Sequence, residues 1–565
     1  MRDGGSDVAM EVAIGAEGGG APTDATIDQA VDATIDAGVD AAGDATVNTS
    51  GDSTVDATPD ATNDLGSAEL DAALDAASDG GDADAYQCTY RALPPASASV
   101  LQFHKNPSRD GVYVDPAFTQ SAVYGMQARF AVPLDGASYA QALYVVDVQN
   151  DRELFVAATE TNHLTVVDGC GKAVWDKTYG APVQAADLPC GNTFPLGITG
   201  TPVIDAASRT IYFDAMTQTA SGQTGLRHRL HAVSLDDGSE KSGWPIDVQA
   251  SVPGFDSSHQ NQRSALTLLN GVLYVPYGGL YGDCGQYYGW VVGVLVSTPS
   301  AVTSWRTIAG APWDGGPPVT GGGFWAAGGL STDGTSLFAV SGNTMDPTDA
   351  SQWNAPPNWA GGETVFRLAA GPSFSGASAD YFLPSNWQLL DQADQDLGSV
   401  GAVPFDVGSA HYLVTMDKLG EVYVLDRDDL GASPIASASL VPPCGQDACD
   451  LVGAPVVYTA SDGTHIVFPV PAANSDAVLV LSGDPPVLSA PNFEMASLGA
   501  PIATTTDGGA DFFLWSSTIW DLSNFSSSTS LQTPPIAANG RIVATTCGSC
   551  GGDLGLVSGS LVFYY

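Results

Sequence analysis

The first 85 residues contain no aromatic side chain: Tyr86 is the first, and all 11 Trp, 19 Tyr and 19 Phe of the 565-residue chain follow it. The same stretch has no Lys, and Arg2 stands alone against 20 acidic groups. A segment so short of bulky apolar groups and so highly charged buries too little surface to offset the entropy of ordering it. Residues 1–85 are therefore predicted to be a disordered, Asp/Ala/Thr/Gly-rich acidic tail or stalk. Asp recurs every fourth residue from Asp24 to Asp44 and again from Asp52 to Asp64, with Asn48 in the missing slot. On a helix that spacing would stack like charges on one face. Calcium-binding repeats need glycine turns within each ligand loop, which this ladder lacks. The remaining reading is a self-repelling tether, spanning roughly 50 Å as a coil.

Basic residues are scarce throughout. Eighteen Lys and Arg face 63 Asp and Glu, a formal charge of −45, of which −19 belongs to the tail and −26 to the rest. Nothing supplies the cationic footprint that nucleic acid or an anionic lipid surface requires, so neither is an expected partner. No stretch approaches the 18 or so uninterrupted apolar residues of a membrane-spanning helix. The opening Met1-Arg-Asp-Gly-Gly has no apolar h-region, so an export signal, if the protein is exported, is expected upstream of this sequence. Gly-x-Ser-x-Gly, a phosphate-binding loop and His-Glu-x-x-His are all missing.

Eight cysteines are present, at 88, 170, 190, 284, 444, 449, 547 and 550. An even number in a loop-rich chain predicts disulfides and an extracytoplasmic location: secreted, periplasmic or tethered to an outer surface. Cys444-Gly-Gln-Asp-Ala-Cys449 reads as a local bridge in a Pro-flanked loop. Cys547-Gly-Ser-Cys550 has the spacing of a redox pair or half a zinc site, but no second pair or His cluster lies nearby to complete tetrahedral zinc, which favours a loop disulfide.

What is abundant is short β-strand punctuated by turns. Leu154–Ala158 is an apolar strand, Thr159–Asn162 a turn, Leu164–Val167 a second strand, Asp168-Gly-Cys-Gly171 a tight turn, and Val174-Trp175 opens a third. Weaker copies recur, each opening on a small residue that leads into an apolar strand, near Ala140, Gly200, Ser264, Ala326, Gly401, Gly453, Gly499 and Thr533. Second and third strands follow, as in Arg209–Asp214 and His228–Asp236, or Tyr412–Met416 and Glu421–Asp426. Helical periodicity is nearly absent after residue 90. The fold class is all-β: a single seven- or eight-bladed propeller over residues 86–565. The last repeat is too short for a whole blade, so its outer strand is expected from the N-terminal end, with Ala128–Leu134 as the candidate. Closing the ring this way removes exposed sheet edges.

These segments resemble the PQQ-like (quinoprotein-like) β-propeller repeat family. The likeness rests on Leu154–Trp175, Gly197-Ile-Thr-Gly-Thr-Pro-Val-Ile-Asp205, His228-Arg-Leu-His231-Ala232 and Gln260-Asn-Gln-Arg263. It continues through Gly289-Trp-Val-Val-Gly293 and Gly420–Asp428, and covers roughly residues 100–540. The resemblance implies a propeller whose relatives include quinone-dependent dehydrogenases, assembly scaffolds and other exported proteins. It further implies, for the dehydrogenases, a quinone sandwiched between a Trp and a vicinal disulfide, and a calcium held by Glu, Asn and Asp. This chain has no adjacent cysteine pair. Trp175, Trp244 and Trp305 fall where the family uses Trp to lock blade to blade.

Several residues remain as candidates. His228 and His231, three apart on a strand, point to opposite faces and read as structural. Gln260 and Arg263 lie just before an inner strand, where the central channel opens; Arg263 is placed to clamp an anion or, alternatively, to tie blades together through carbonyls. Trp325 belongs to the same mouth. Trp353 and Trp359, in a Pro-rich loop over 350–362, suit capture of a peptide or carbohydrate or simply cover a blade edge. Asp391, Asp394 and Asp396 form the best acidic cluster for a hard cation, or a solvated loop. Taken together, the sequence predicts a monomeric, non-enzymatic scaffold binding an unidentified protein, peptide or carbohydrate ligand. The alternative is a PQQ- and calcium-dependent dehydrogenase with an atypical site.

Overall fold

The computed structural model describes residues 88–307, 319–345, 356, 358–440, 453–470, 475–494, 500–509, 512–516, 534–546 and 559–565. The tail prediction, Trp353, and the Cys444–Cys449 and Cys547–Cys550 loops lie outside them.

Eight antiparallel sheets form the blades of a propeller. Their innermost strands start at Leu143, Val203, Thr267, Ser331, Val403, Val456, Pro501 and Ile536, each within five residues of an opening read from the sequence. In blade 1, Leu143–Asp147 pairs with Arg152–Ala158, then His163–Asp168, then Ala173–Thr178. The turns are those the sequence chemistry demands. Between the first two strands of blade 3, for example, Asn270 and Gly271 both adopt positive φ, at 52° and 76°, as a two-residue hairpin turn requires.

Inner strands carry continuous apolar runs because both faces are covered by neighbouring blades. Leu143–Asp147 is buried throughout, and the third strand of blade 3, Trp290–Leu295, is buried except at its last residue. The core is accordingly a set of layers between blades. One such layer packs Val145, Leu154 and Val166 of blade 1 on Ile204, Ile211 and Phe213 of blade 2. Trp175 is the lock expected from the sequence: its indole Nε1, on the outer strand of blade 1, donates to Leu235 O of blade 2 at 2.9 Å. Trp305 does the same work between blades 3 and 4, edge-on to Phe366 at 5.1 Å.

Ring closure follows the prediction. Ala128–Pro133 pairs antiparallel with Ser560–Tyr564 as the outer strand of blade 8. Just before that strand, the chain does something the sequence did not suggest. Residues 99–101 run up the central channel and 110–114 run back down it. Val100 pairs with Tyr144 of blade 1, Leu101 O accepts from Ile204 N of blade 2, and Pro107 O accepts from Thr332 N of blade 4. On the return, Asp110 O accepts from Val457 N of blade 6, and Val112–Val114 lies parallel to the inner strand of blade 7. At the tip, the buried Arg109 guanidinium donates to the carbonyls of Phe103, Leu266 and Leu330 and to Thr267 Oγ1, at 2.8–3.2 Å. His104, Lys105 and Arg109 all take positive φ to make this bend, a strain held by its many partners. The channel is therefore filled from below. Its upper end, where the inner strands begin, is floored by Phe103 against Ala265 and Ala454.

Two disulfides pin the periphery. Cys88–Cys170 ties the start of the described chain to the outer turn of blade 1 on the lower side, and Cys190–Cys284 joins loops on the upper side. Among the described residues no helix is long and apolar enough to cross a membrane.

Candidate functional site: the upper mouth of the propeller

Loops and turns on the upper side of blades 1, 3, 4 and 5 bring polar and aromatic side chains together above Phe103. Blade 1 supplies Tyr139 and Glu160, blade 3 Arg263 and Asp283, blade 4 Trp325 and Glu363, and blade 5 Asp394, Asp396 and Lys418.

Arg263 has the least ordinary environment. Its guanidinium lies over the Trp325 ring, 5.1 Å from the centroid. It has no hydrogen-bond acceptor among the described residues, and Nη2 is fully shielded from solvent. Burial alone pushes its pKa down, to about 10. The tie to neighbouring carbonyls, one of the two roles open in the sequence, is instead made by Arg109. Tyr139 stands near Arg263, its hydroxyl pushed up to about 12 by burial and by the charge of Glu160. Glu160 is 1% exposed; its Oε2 accepts from Gly197 N at 2.7 Å and Thr199 Oγ1 at 3.1 Å, while Oε1 has no donor. Burial raises this carboxyl to about 7.

Lys418 is the second cation of the mouth, its Nζ also 5.1 Å from the Trp325 centroid. Unlike Arg263 it is neutralised, by Asp396 Oδ2 at 2.7 Å and Asp394 Oδ1 at 3.4 Å. Asp396 Oδ1 accepts from Asn343 N at 2.7 Å. Asp391 directs one oxygen to Thr344 N and the other to Thr344 Oγ1, both at 2.9 Å. The three acids of the sequence-predicted cation site thus face separate donors, with the Lys418 ammonium against two of them. Among the described residues, no three His, Cys, Asp or Glu side chains gather as a metal-holding group. Behind them Glu363, fully buried, accepts from Leu397 N at 2.5 Å, and burial together with Asp396 and Asp391 pushes it far above the usual carboxylate range. Asp391 is raised to about 8 and Asp394 to about 7, burial being the largest cause for each.

The other candidates sit elsewhere. Gln260 is buried inside blade 3, where its amide nitrogen donates to Tyr288 O at 3.0 Å and Gly278 O at 2.8 Å and its oxygen accepts from Tyr288 N. Trp359 stacks on Tyr381 at 4.8 Å and donates to Gly362 O and Thr364 Oγ1. His228 bonds Asp214 at 2.6 Å and Gln260 O at 3.0 Å, whereas His231 bonds Glu240 at 2.7 Å. The two imidazoles share no ligand and each has its own carboxylate. Sequence reasoning missed Tyr139, Glu160, Lys418 and Glu363. Their one available signal was position, in turns on the same side as the inner-strand openings.

The class of protein this architecture defines is the eight-bladed β-propeller. Solved structures similar to the chain include a europium-containing methanol dehydrogenase (TM-score 0.57, 14% identity, covering 83% of this chain and 99% of that one). Quinohemoprotein alcohol dehydrogenases are similar too: one from Pseudomonas putida HK5 (TM-score 0.55, 12% identity, 83% of this chain and 80% of that one) and one from Comamonas testosteroni (0.54, 11%, 88% and 84%). No family model and no curated protein matches the sequence. At these identities the likeness establishes the fold alone.

The mouth does not reproduce the quinone clamp that the resemblance implies. No two cysteines are adjacent. The Trp325 ring, the one indole at the mouth among the described residues, already carries the chain's own Arg263 and Lys418 over it.

Proposed function

We propose that the chain is an extracytoplasmic, surface-tethered propeller that acts as a non-enzymatic binding module and holds a small carboxylate-bearing ligand at its upper mouth. The observation that carries this reading is Arg263. Arg263 is partly buried, and its shielded Nη2 carries two N–H donors that meet no acceptor among the described residues; leaving a buried donor unmet costs on the order of 1–3 kcal/mol. A carboxylate accepts two of them in a fork geometry and supplies the missing counter-charge. Trp325 and Tyr139 provide flat walls beside it, and the Phe103 floor keeps the ligand from passing through. The two disulfides accord with an oxidising compartment. The partner bearing the carboxylate is a peptide, a protein terminus or an acidic carbohydrate, and the protein works as a monomer.

Calorimetric titration of the full chain with citrate and succinate, and separately with PQQ with and without calcium, tests the reading. Polycarboxylate binding that is independent of calcium and lost in Arg263→Gln is expected. Calcium-dependent PQQ binding with alcohol-driven dye reduction would overturn it in favour of a dehydrogenase. Silence with every anion would refute the role given to Arg263.

A further inference from the structure

The seams between blades are not all built alike. Between blades 1 and 2, Trp175 fills the outer part of the seam and is joined by Tyr179, whose hydroxyl donates to Gly238 O at 2.7 Å. Between blades 3 and 4, Trp305 packs on Phe366 and Phe374, at 5.1 and 5.9 Å. Between blades 4 and 5 the outer strand is only Tyr381–Phe382, and the chain turns at once through Leu383–Asn386 into the helix Trp387–Ala393. No indole lines that seam, and the space holds a cleft of about 810 Å³. Clefts of about 300–1,000 Å³ are the size that encloses a whole small ligand.

The chemistry of the walls selects what fits. Tyr381 and Tyr423 stand in the cleft with Pro384; Asp417, Glu421 and Asn386 supply polar groups, and four serines complete the lining. Among the described residues no Lys, Arg or His lines it, so an anionic ligand would meet carboxylates without a counter-charge. A wholly apolar ligand would strand the hydroxyls and the amide. The walls are also rigid. Tyr381 is stacked on Trp359 at 4.8 Å and 13°. Tyr423 donates to Asp417 Oδ2 at 3.1 Å, and Asp417 Oδ1 accepts from Glu421 N at 3.0 Å. Asp417 is itself fully buried, so it fixes the Tyr423 hydroxyl and the Glu421 backbone and leaves the Glu421 carboxylate as the acid that a ligand hydroxyl reaches.

We infer that the blade 4–5 seam is a binding site for a neutral saccharide. A sugar ring lies against Tyr381, and its hydroxyls bond the accessible Glu421 carboxylate and the Asn386 amide. Such a site combines aromatic surface with fixed acceptors and loses little side-chain entropy on binding, since its walls are already ordered. It is separate from the Arg263 mouth and does not depend on the function proposed for it.

The test is calorimetric titration of the full chain with maltotetraose, cellotetraose and mannotetraose, with tetralysine as the cationic comparison. At least one saccharide is expected to bind at millimolar concentration or below. Its affinity should fall at least tenfold in Glu421→Gln and in Tyr381→Ala and stay unchanged in Arg263→Gln. Because Tyr381 is stacked, the half-exposed Glu421 keeps the test independent of any folding defect in the Tyr381 variant. Failure of all three saccharides, binding indifferent to both cleft variants, or tetralysine binding that Glu421→Gln abolishes while no sugar binds would each overturn the inference.

Discussion

Blade 8 meets blade 1 across a buried ion pair, and its removal gives a direct measure of how the ring is closed. Arg541 Nη1 lies 2.9 and 3.0 Å from the two oxygens of Glu153, and the residues are 1% and 3% exposed. Glu153 Oε1 also accepts from Tyr144 Oη at 2.8 Å and Asn539 Nδ2 at 2.9 Å. Substituting Arg541→Met keeps much of the aliphatic bulk but leaves a buried carboxylate with only two neutral donors. Breaking one side of a buried pair costs about 3–5 kcal/mol. Glu153→Gln strands the guanidinium and is expected to cost a similar amount. The double variant Arg541→Met/Glu153→Leu removes both charges together, so its loss should fall short of the sum by about 2 kcal/mol or more. Urea unfolding followed by Trp fluorescence and by circular dichroism is the assay, with coincidence of the two transitions checked before free energies are extracted. Single variants that lose less than about 1 kcal/mol, or a double variant equal to the sum of the singles, would refute the reasoning and place closure in the strand pairing of Ala128–Pro133 alone.

Three further outcomes follow from other buried groups. His228 would be lowered by its burial, but the Asp214 carboxylate and two hydrogen bonds carry it above its ordinary value; its contribution is complete below about pH 6.5 and fades as pH rises through the folded-state value, so urea midpoints should decline as pH rises above about 6.5 and decline less in His228→Gln. Glu160 is held at about 7 by burial, so lowering the pH from 8 to 6 removes a negative charge near Tyr139, itself a neighbour of Arg263 at the mouth. Polycarboxylate affinity at the mouth should therefore rise over that range, with Glu160→Gln abolishing the dependence in titration. Arg109→Met removes the guanidinium donors from Phe103 O and Leu266 O, while Leu330 O keeps Thr267 Oγ1 at 2.7 Å, for a loss of roughly 1–3 kcal/mol per orphaned carbonyl in urea unfolding; an unchanged midpoint would mean the hairpin is not part of the stable ring.

The propeller was legible because its information is local. Each blade is a meander of neighbouring strands, so a small residue before an apolar run, or an Asn-Gly pair between two runs, marks a strand without knowledge of what it touches. Even closure by Ala128–Pro133 was readable, since a final repeat without an outer strand has to borrow one. The channel hairpin was not, because residues 99–114 take their partners from blades hundreds of residues downstream and carry no alternating pattern of their own. The same limit hid much of the mouth. Arg263 and Trp325 could be placed beside inner-strand openings, but Glu160, Lys418 and Glu363 acquire their meaning only when separate blades bring them together. The Asp391–Asp396 run, open in sequence to a cation site or a solvated loop, directs its carboxylates toward Thr344, Asn343 and Lys418.

Two arginines near the propeller axis make the strongest argument about what this fold is for. Arg109 and Arg263 both have their pKa lowered by burial, to about 9 and about 10. Arg109 is met by four acceptors drawn from the channel hairpin and from blades 3 and 4. That shows how readily the convergent inner strands can satisfy a guanidinium. Arg263 sits a few residues from two of those acceptors and has none among the described residues, while the neighbouring Lys418 is paired with Asp396. Buried donors in folded proteins are nearly always satisfied. A scaffold that saturates one central arginine, pairs the adjacent lysine and leaves the other arginine bare against Trp325 has its unfilled valence at the mouth, and an anionic ligand is the group that completes it.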